Sequence, residues 1–240
     1  MAIKRILIIL TLGFTFLSSK AQDDIHGDPE VWFLLLNHYE INNKWTVGNE
    51  LHLRRTDWFG DQKQYIIRPF VNFKPGEKVV YTAGYSYIEA EPYGECPLIA
   101  ALPEHNVWEQ VTVNQKLNQS LLSHRYRMEH RYQGNLIEES AGSGVRDGFQ
   151  FSNRFSYRLT WKHPISDEIF IHAFDELWIN LDGKMRQASY NQNWLYVGLG
   201  KNLKQGNIQI AYLHQHASSN GIVERHPSVQ LTLQYDFKSK

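Results

Sequence analysis

Phe149-Gln150-Phe151-Ser152-Asn153-Arg154-Phe155-Ser156-Tyr157-Arg158-Leu159-Thr160-Trp161-Lys162 decides the fold. Phe149, Phe151, Phe155, Tyr157, Leu159 and Trp161 occupy alternate positions, with Gln150, Ser152, Arg154, Ser156, Arg158, Thr160 and Lys162 between them. Successive side chains of a strand point to opposite faces, so this period of two describes a strand with one apolar face and one arginine-bearing polar face.

The same text recurs outward from that stretch. Near the C-terminus, Val229, Leu231, Leu233, Tyr235 and Phe237 oppose Ser228, Gln230, Thr232, Gln234 and Asp236. Leu122, Tyr126, Met128 and Tyr132 oppose Arg125, Arg127, Glu129 and Arg131. Further strand-like segments fall at 31–41, 45–56, 64–73, 79–88, 105–114, 167–180, 191–200 and 207–215, eleven in all. In 105–114 and 167–180 the register leaves the faces of Glu109 and Glu176 open.

The connections alternate in length. Short polar turns at 42–44, 74–77, 115–118, 163–166 and 202–206 alternate with longer loops at 57–63, 89–104, 133–147, 181–190 and 216–225. Short turns at one end and long loops at the other are the pattern of an outer-membrane barrel, and strands of about 9–15 residues suit a tilted bilayer crossing. Aromatics near strand ends, among them Trp45, Tyr65, Tyr81, Tyr157, Trp161, Tyr212, Tyr235 and Phe237, fit interfacial girdles. A soluble β-sandwich also alternates, but its polar faces would not need to be dense in arginine and glutamate.

The first 21 residues read differently. Lys4 and Arg5 precede an apolar run from Ile6 to Leu17, and Ser18-Ser19-Lys20-Ala21 supplies the small residues that a signal peptidase reads. A signal peptide over 1–21 and a single barrel domain over 22–240 are therefore expected, and no cysteine near the cut invites lipid anchoring. The leader holds three bases and no acid, so 25 of each become 22 bases against 25 acids, a net charge of −3. Past the leader the longest apolar run is Val31 to Leu36, far short of the roughly 20 residues a helical span needs.

Composition removes other classes. A 42% apolar, 21% charged chain is neither a disordered tail nor, at zero formal charge, a nucleic-acid binder. One cysteine, Cys96, makes neither a disulfide framework nor a cysteine-rich metal module. The expected architecture is all-β: an antiparallel up-and-down transmembrane barrel of about ten to twelve strands. The parity of a fully antiparallel closure favours ten or twelve over the eleven segments drawn.

Residues 104–110, 123–132, 191–200 and 226–237 resemble a family of uncharacterised secreted bacterial β-barrel proteins, a domain of unknown function. The resemblance covers nearly the whole chain after the leader. It implies an outer-membrane barrel and no catalytic assignment, and in its pattern arginine stands where this chain has Asn106 and Trp194.

Chemistry would have to lie on the polar face. Arg54, Arg68, Arg125, Arg127, Arg131, Arg154 and Arg158, with Glu50, Glu129 and Asp236, are expected to line the lumen, since a charge facing lipid at mid-bilayer costs a few kcal/mol. Two readings follow: a narrow channel favouring anions, or a barrel plugged by Arg–carboxylate pairs that satisfy one another.

A second constellation is His216 with Ser218, at the spacing that sets base beside nucleophile on one strand face, with Glu224 to orient the imidazole; this describes an outer-membrane esterase or lipid deacylase. His105, His214, His216 and His226 carry no recognised metal-ligand spacing, so no metal and no cofactor are expected. The expected partners are outer-membrane lipid, the outer-membrane insertion machinery and a small solute, and not nucleic acid. Cys96 beside the apolar run Pro97 to Leu102 reads as loop packing on the barrel rim.

Overall fold

The computed structural model describes residues 24–93, 98, 100–140, 143–219 and 222–238. Its strands are β1 (Asp24–His26), β2 (Glu30–Glu40), β3 (Trp45–Arg55), β4 (Gln62–Phe73), β5 (Val79–Ala90) and β6 (Leu102–Leu117). They continue with β7 (Ser120–Ser140), β8 (Ser143–Pro164), β9 (Ile169–Leu181), β10 (Ala188–Leu203), β11 (Gly206–Ser219) and β12 (Ile222–Lys238). From β2 to β12 each strand pairs antiparallel with the next, and β12 returns to pair with β2. The sheet closes on itself, which leaves no full-length edge to template aggregation.

That closing pair is parallel, with Val229 opposite Val31 and Phe237 opposite Tyr39. Eleven strands therefore close the barrel, and the expectation of an even number is corrected. Parity binds only an all-antiparallel ring; one parallel seam admits an odd count. β1 adds a short parallel pairing to β12 at Asp24↔Val223, beyond the end of β2, so the chain enters along the same seam.

Two segments expected as loops are mostly strand. β7 and β8 run 21 and 22 residues and pair out to Ser140↔Ser143, with bulges near Gly134 and Glu138, so 133–140 and 143–147 extend a long hairpin. Residues 216–225 likewise continue β11 into β12 with Ser219 opposite Ile222. Cys96 and part of the 89–104 segment lie outside the described residues. Connections at 41–44, 74–78, 118–119, 165–168 and 204–205 gather at one end of the barrel; those at 56–61 and 182–187 gather at the other, where β5 also ends and β6 begins. At the short end Gly206 adopts φ +116°, and a Cβ there would meet the Gln234 carbonyl oxygen at 1.9 Å, so the β10–β11 turn demands glycine.

The usual distribution of polarity is inverted. Val107, Val197, Leu199, Ile210 and Tyr212 are among many large apolar side chains more than half exposed on the outer face, while Glu30, Arg54, Glu104, Arg127, Glu129 and Glu176 are buried. Aromatic pairs mark both ends of the outer surface: Trp45 with Phe73 (ring centroids 4.7 Å) near the short turns, Tyr132 with Phe151 (5.0 Å) towards the other end.

Candidate functional site

The interior is organised in layers of ion pairs, each set by cross-strand register. Arg158 stands opposite Glu176 on β8 and β9, and its Nε donates to Oε2 at 2.8 Å, while Arg125 reaches the other carboxylate oxygen from β7. Arg154 stands opposite Glu129, donating to Oε2 from Nε (2.9 Å) and Nη2 (2.6 Å), and Arg127 approaches Oε1 at 3.8 Å. Arg68 pairs with Glu50 across β3 and β4 at 3.0 Å, and His52 meets the same oxygen. Arg131 grips Glu104 with two parallel bonds of 2.8 and 2.7 Å. Such forked contacts fix geometry as well as charge.

At the long-loop end a second group surrounds Glu30, whose carboxylate takes bonds from Lys63 and from Trp32 Nε1, with His226 Nδ1 at 2.9 Å. His226 Nε2 meets Glu224 at 2.9 Å. At the short-turn end His38 meets Asp236 at 2.8 Å.

Aromatic rings support the guanidinium groups. Arg54 lies 3.8 Å over the Trp32 ring, Arg158 3.9 Å over Phe174, Arg127 4.2 Å over Trp108 and Arg154 4.5 Å over Trp178. Stacking holds a planar guanidinium flat while its edge remains available for hydrogen bonds. Trp108 fits because Gly84 faces it: a Cβ on Gly84 would lie 2.3 Å from the indole.

Two cavities of about 500 Å³ occupy the lumen, one at each end. Leu36, Glu50, Arg125 and Arg127 line both, so the two adjoin at this ion-paired layer, and along β9–β12 the second reaches His172, Gln209 and Gln234. Asp236 borders the chamber at the short-turn end, while Arg54, Arg68, Arg131, Arg154 and Arg158 border the one at the long-loop end. Glu129 is fully buried behind its arginine partners.

Glu30, Lys63, Glu104, Glu176, Glu224 and His226 also belong to this interior, and sequence reasoning did not assign them to it. Glu30 sits one residue before the drawn segment, and Lys63 enters at the irregularity where Arg54 faces Gln64 but Arg55 faces Gln62. Register with β8 settles Glu176 as interior. Glu109, by contrast, faces Met128 on the outer surface, where His130 Nε2 lies 3.3 Å from it.

The esterase constellation is not assembled. Ala217 is opposite Glu224, which puts Glu224 on the interior face while His216 and Ser218 share the outer one. His216 Nδ1 meets the Tyr190 hydroxyl at 2.7 Å, and the carboxylate expected to orient it is held by His226 instead. The histidines are likewise dispersed: His226 faces inward, His214 contacts Tyr212 outside, and His105 contacts Tyr85 on another strand. Among the described residues no group of three or more His, Cys, Asp or Glu is arranged to hold a metal ion.

A family model described as protein of unknown function, DUF2490, matches residues 30–225, from Glu30 of the interior network to the start of β12. No curated protein matches the chain.

Proposed function

Since the chain belongs to the DUF2490 family, whose description carries no activity, its role has to be argued from the barrel itself; we propose an outer-membrane barrel of a Gram-negative cell with a lumen shut at its waist. The leader over 1–21 is removed on export, and the outer-membrane insertion machinery delivers the remaining chain as one domain. The observation that carries this reading is the inverted polarity: a closed ring whose outer face is apolar and whose buried interior is charged. Contiguous exposed apolar surface on that scale needs a cover, and lipid supplies it around the whole circumference.

Between a channel and a plugged barrel, the ion-paired narrowing favours the plug. Arg125, Arg127 and Arg158 are pinned to Glu129 and Glu176 along the β7–β9 wall, and Arg125 and Arg127 share the waist with Leu36 and Glu50 of β2 and β3, so fixed side chains narrow the path a solute would take. The role that remains is a closed scaffold with a chamber at the long-loop end, facing the exterior in the usual orientation of such barrels.

Membrane fractionation with electrophoresis of boiled and unboiled samples tests the location. The expected result is outer-membrane recovery with a heat-dependent shift in mobility; release as a soluble periplasmic protein with no shift overturns it. Planar-bilayer recordings test the plug, and steady discrete conductance from the wild-type protein would restore the channel.

A further inference from the structure

We propose that the chamber at the long-loop end is a binding site for a small solute carrying a carboxylate or phosphate group, with Arg54 as its principal ligand. The inference rests on the closed-lumen reading above and adds to it the class of occupant.

Arg54 is the interior arginine whose charge is least accounted for. The other six each have a carboxylate oxygen within ion-pair distance, whereas Arg54 Nη1 donates to the neutral Gln64 Oε1 at 2.7 Å and its ion pairs with carboxylates number none among the described residues. Its Nε is buried and has no hydrogen-bond partner. A buried guanidinium with an idle N–H is costly unless an acceptor reaches it.

The surroundings are built to keep that group in place. Trp32 underlies the Arg54 guanidinium, Trp194 packs against Trp32 at 5.1 Å, and Trp178 packs against Trp194 at 5.8 Å. Arg154 covers the far end of this aromatic strip, over Trp178. Trp178 Nε1 is a second buried donor without a partner. All five side chains border the same cavity, whose volume lies within the roughly 300–1,000 Å³ of ordinary small-molecule sites. Two idle donors, a guanidinium without a counterion and a second one nearby select an oxyanion. The carboxylates on this side are each gripped by another cation, Glu30 by Lys63, Glu104 by Arg131 and Glu224 by His226, so the charge of Glu30 that also reaches Arg54 is shared and offsets its field only in part.

The test uses the full chain after leader removal, folded in detergent micelles and titrated by calorimetry with glucose 6-phosphate, citrate, inorganic phosphate and glucose. Saturable heat from glucose 6-phosphate or citrate and none from glucose supports the site. An equal response to inorganic phosphate supports the anion contact and shows that the organic body is not read. Arg54→Gln should weaken binding at least tenfold and Trp178→Phe several-fold. Heat-dependent gel mobility shows whether each variant has folded; if Arg54→Gln does not fold, Arg54→Lys and Trp178→Phe carry the comparison. Equal binding of glucose, no saturable heat with any anion, or folded variants that bind as the wild type does would overturn the proposal. Because binding is read on purified protein, its failure is distinct from failure of the membrane location.

Discussion

Arg158 and Glu176 face each other directly across β8 and β9, and the Glu176 carboxylate, fully buried, also holds Arg125 from β7. One carboxylate thus pairs with two guanidiniums that border the lumen and leaves one positive charge over. Swapping a whole buried ion pair for apolar residues is often tolerated, but removing a single partner strands the opposite charge at a cost of about 3–5 kcal/mol. Glu176→Gln should therefore destabilise the barrel by about that amount in denaturant unfolding. Loss of less than about 1 kcal/mol would mean that this ion-paired wall is not held electrostatically.

Gly84 offers a steric counterpart. Its missing Cβ would lie 2.3 Å from the Trp108 indole and 2.9 Å from the Pro69 carbonyl oxygen. Gly84→Ala must displace Trp108, which Ser86 holds through the indole N–H at 3.0 Å. Overpacking of this kind costs about 1–3 kcal/mol. Gly76→Ala, with open space around the Cβ position in a short turn, should lose far less in the same assay.

The strand pattern was legible because period two survives in any tilted two-faced strand, and arginine alternating with aromatics on β7 and β8 marks the interior directly. Strand parity was not legible: whether the ring closes by an antiparallel or a parallel seam depends on how β2 meets β12, two segments about 190 residues apart. The face of Glu176 was hidden because apolar residues stand on both sides of β9, Phe174 and Trp178 inside and Leu177 outside. Glu224 was misplaced for a related reason. Its face follows from the hairpin register that sets Ala217 opposite it, and spacing from His216 carries no information about that register.

Asp175 is the central residue of the thirteen in β9 and faces outward, with Asn193 Nδ2 donating to it at 2.7 Å. On a lipid-covered face a carboxylate near mid-strand is a cost that its amide isostere avoids, while the contact with Asn193 survives. Asp175→Asn should raise unfolding stability in lipid vesicles by about 1 kcal/mol. A clear loss instead would indicate that this face is covered by protein and not by lipid.

The β9–β10 connection supplies a pH-dependent element outside the strands. Backbone N–H groups of Gln187 (3.0 Å) and Arg186 donate to Asp182 Oδ1 and hold its carboxyl below the usual aspartate range. A lowered folded-state pKa stabilises the loop above the unfolded value of about 4, and that contribution is lost as pH falls below it. Hydrogen exchange at the Arg186 and Gln187 amides should therefore lose protection as the pH falls below about 4, after correction for intrinsic rates. Asp182→Ala should show the reduced protection already at neutral pH, and equal protection in both proteins would assign it to the turn backbone alone.

The parallel seam sends β2 and β12 through the barrel in the same direction, so Glu30 lies at the long-loop end and Phe237 at the short-turn end. In an outer membrane with its short turns in the periplasm, the start of β2 therefore lies on the cell exterior and the end of β12 inside. An epitope inserted beside Met185, in the long-loop-end connection, should be reached by antibody on intact cells. One inserted at Asn43, in the opposite turn, should be reached only after the outer membrane is permeabilised. The same contrast should hold for a tag before Asp24 against one after Lys238. If both ends of the chain proved accessible from the same side, the parallel closure and the odd strand count would fail together, because no closed ring of eleven consecutive up-and-down strands returns to the side where it began.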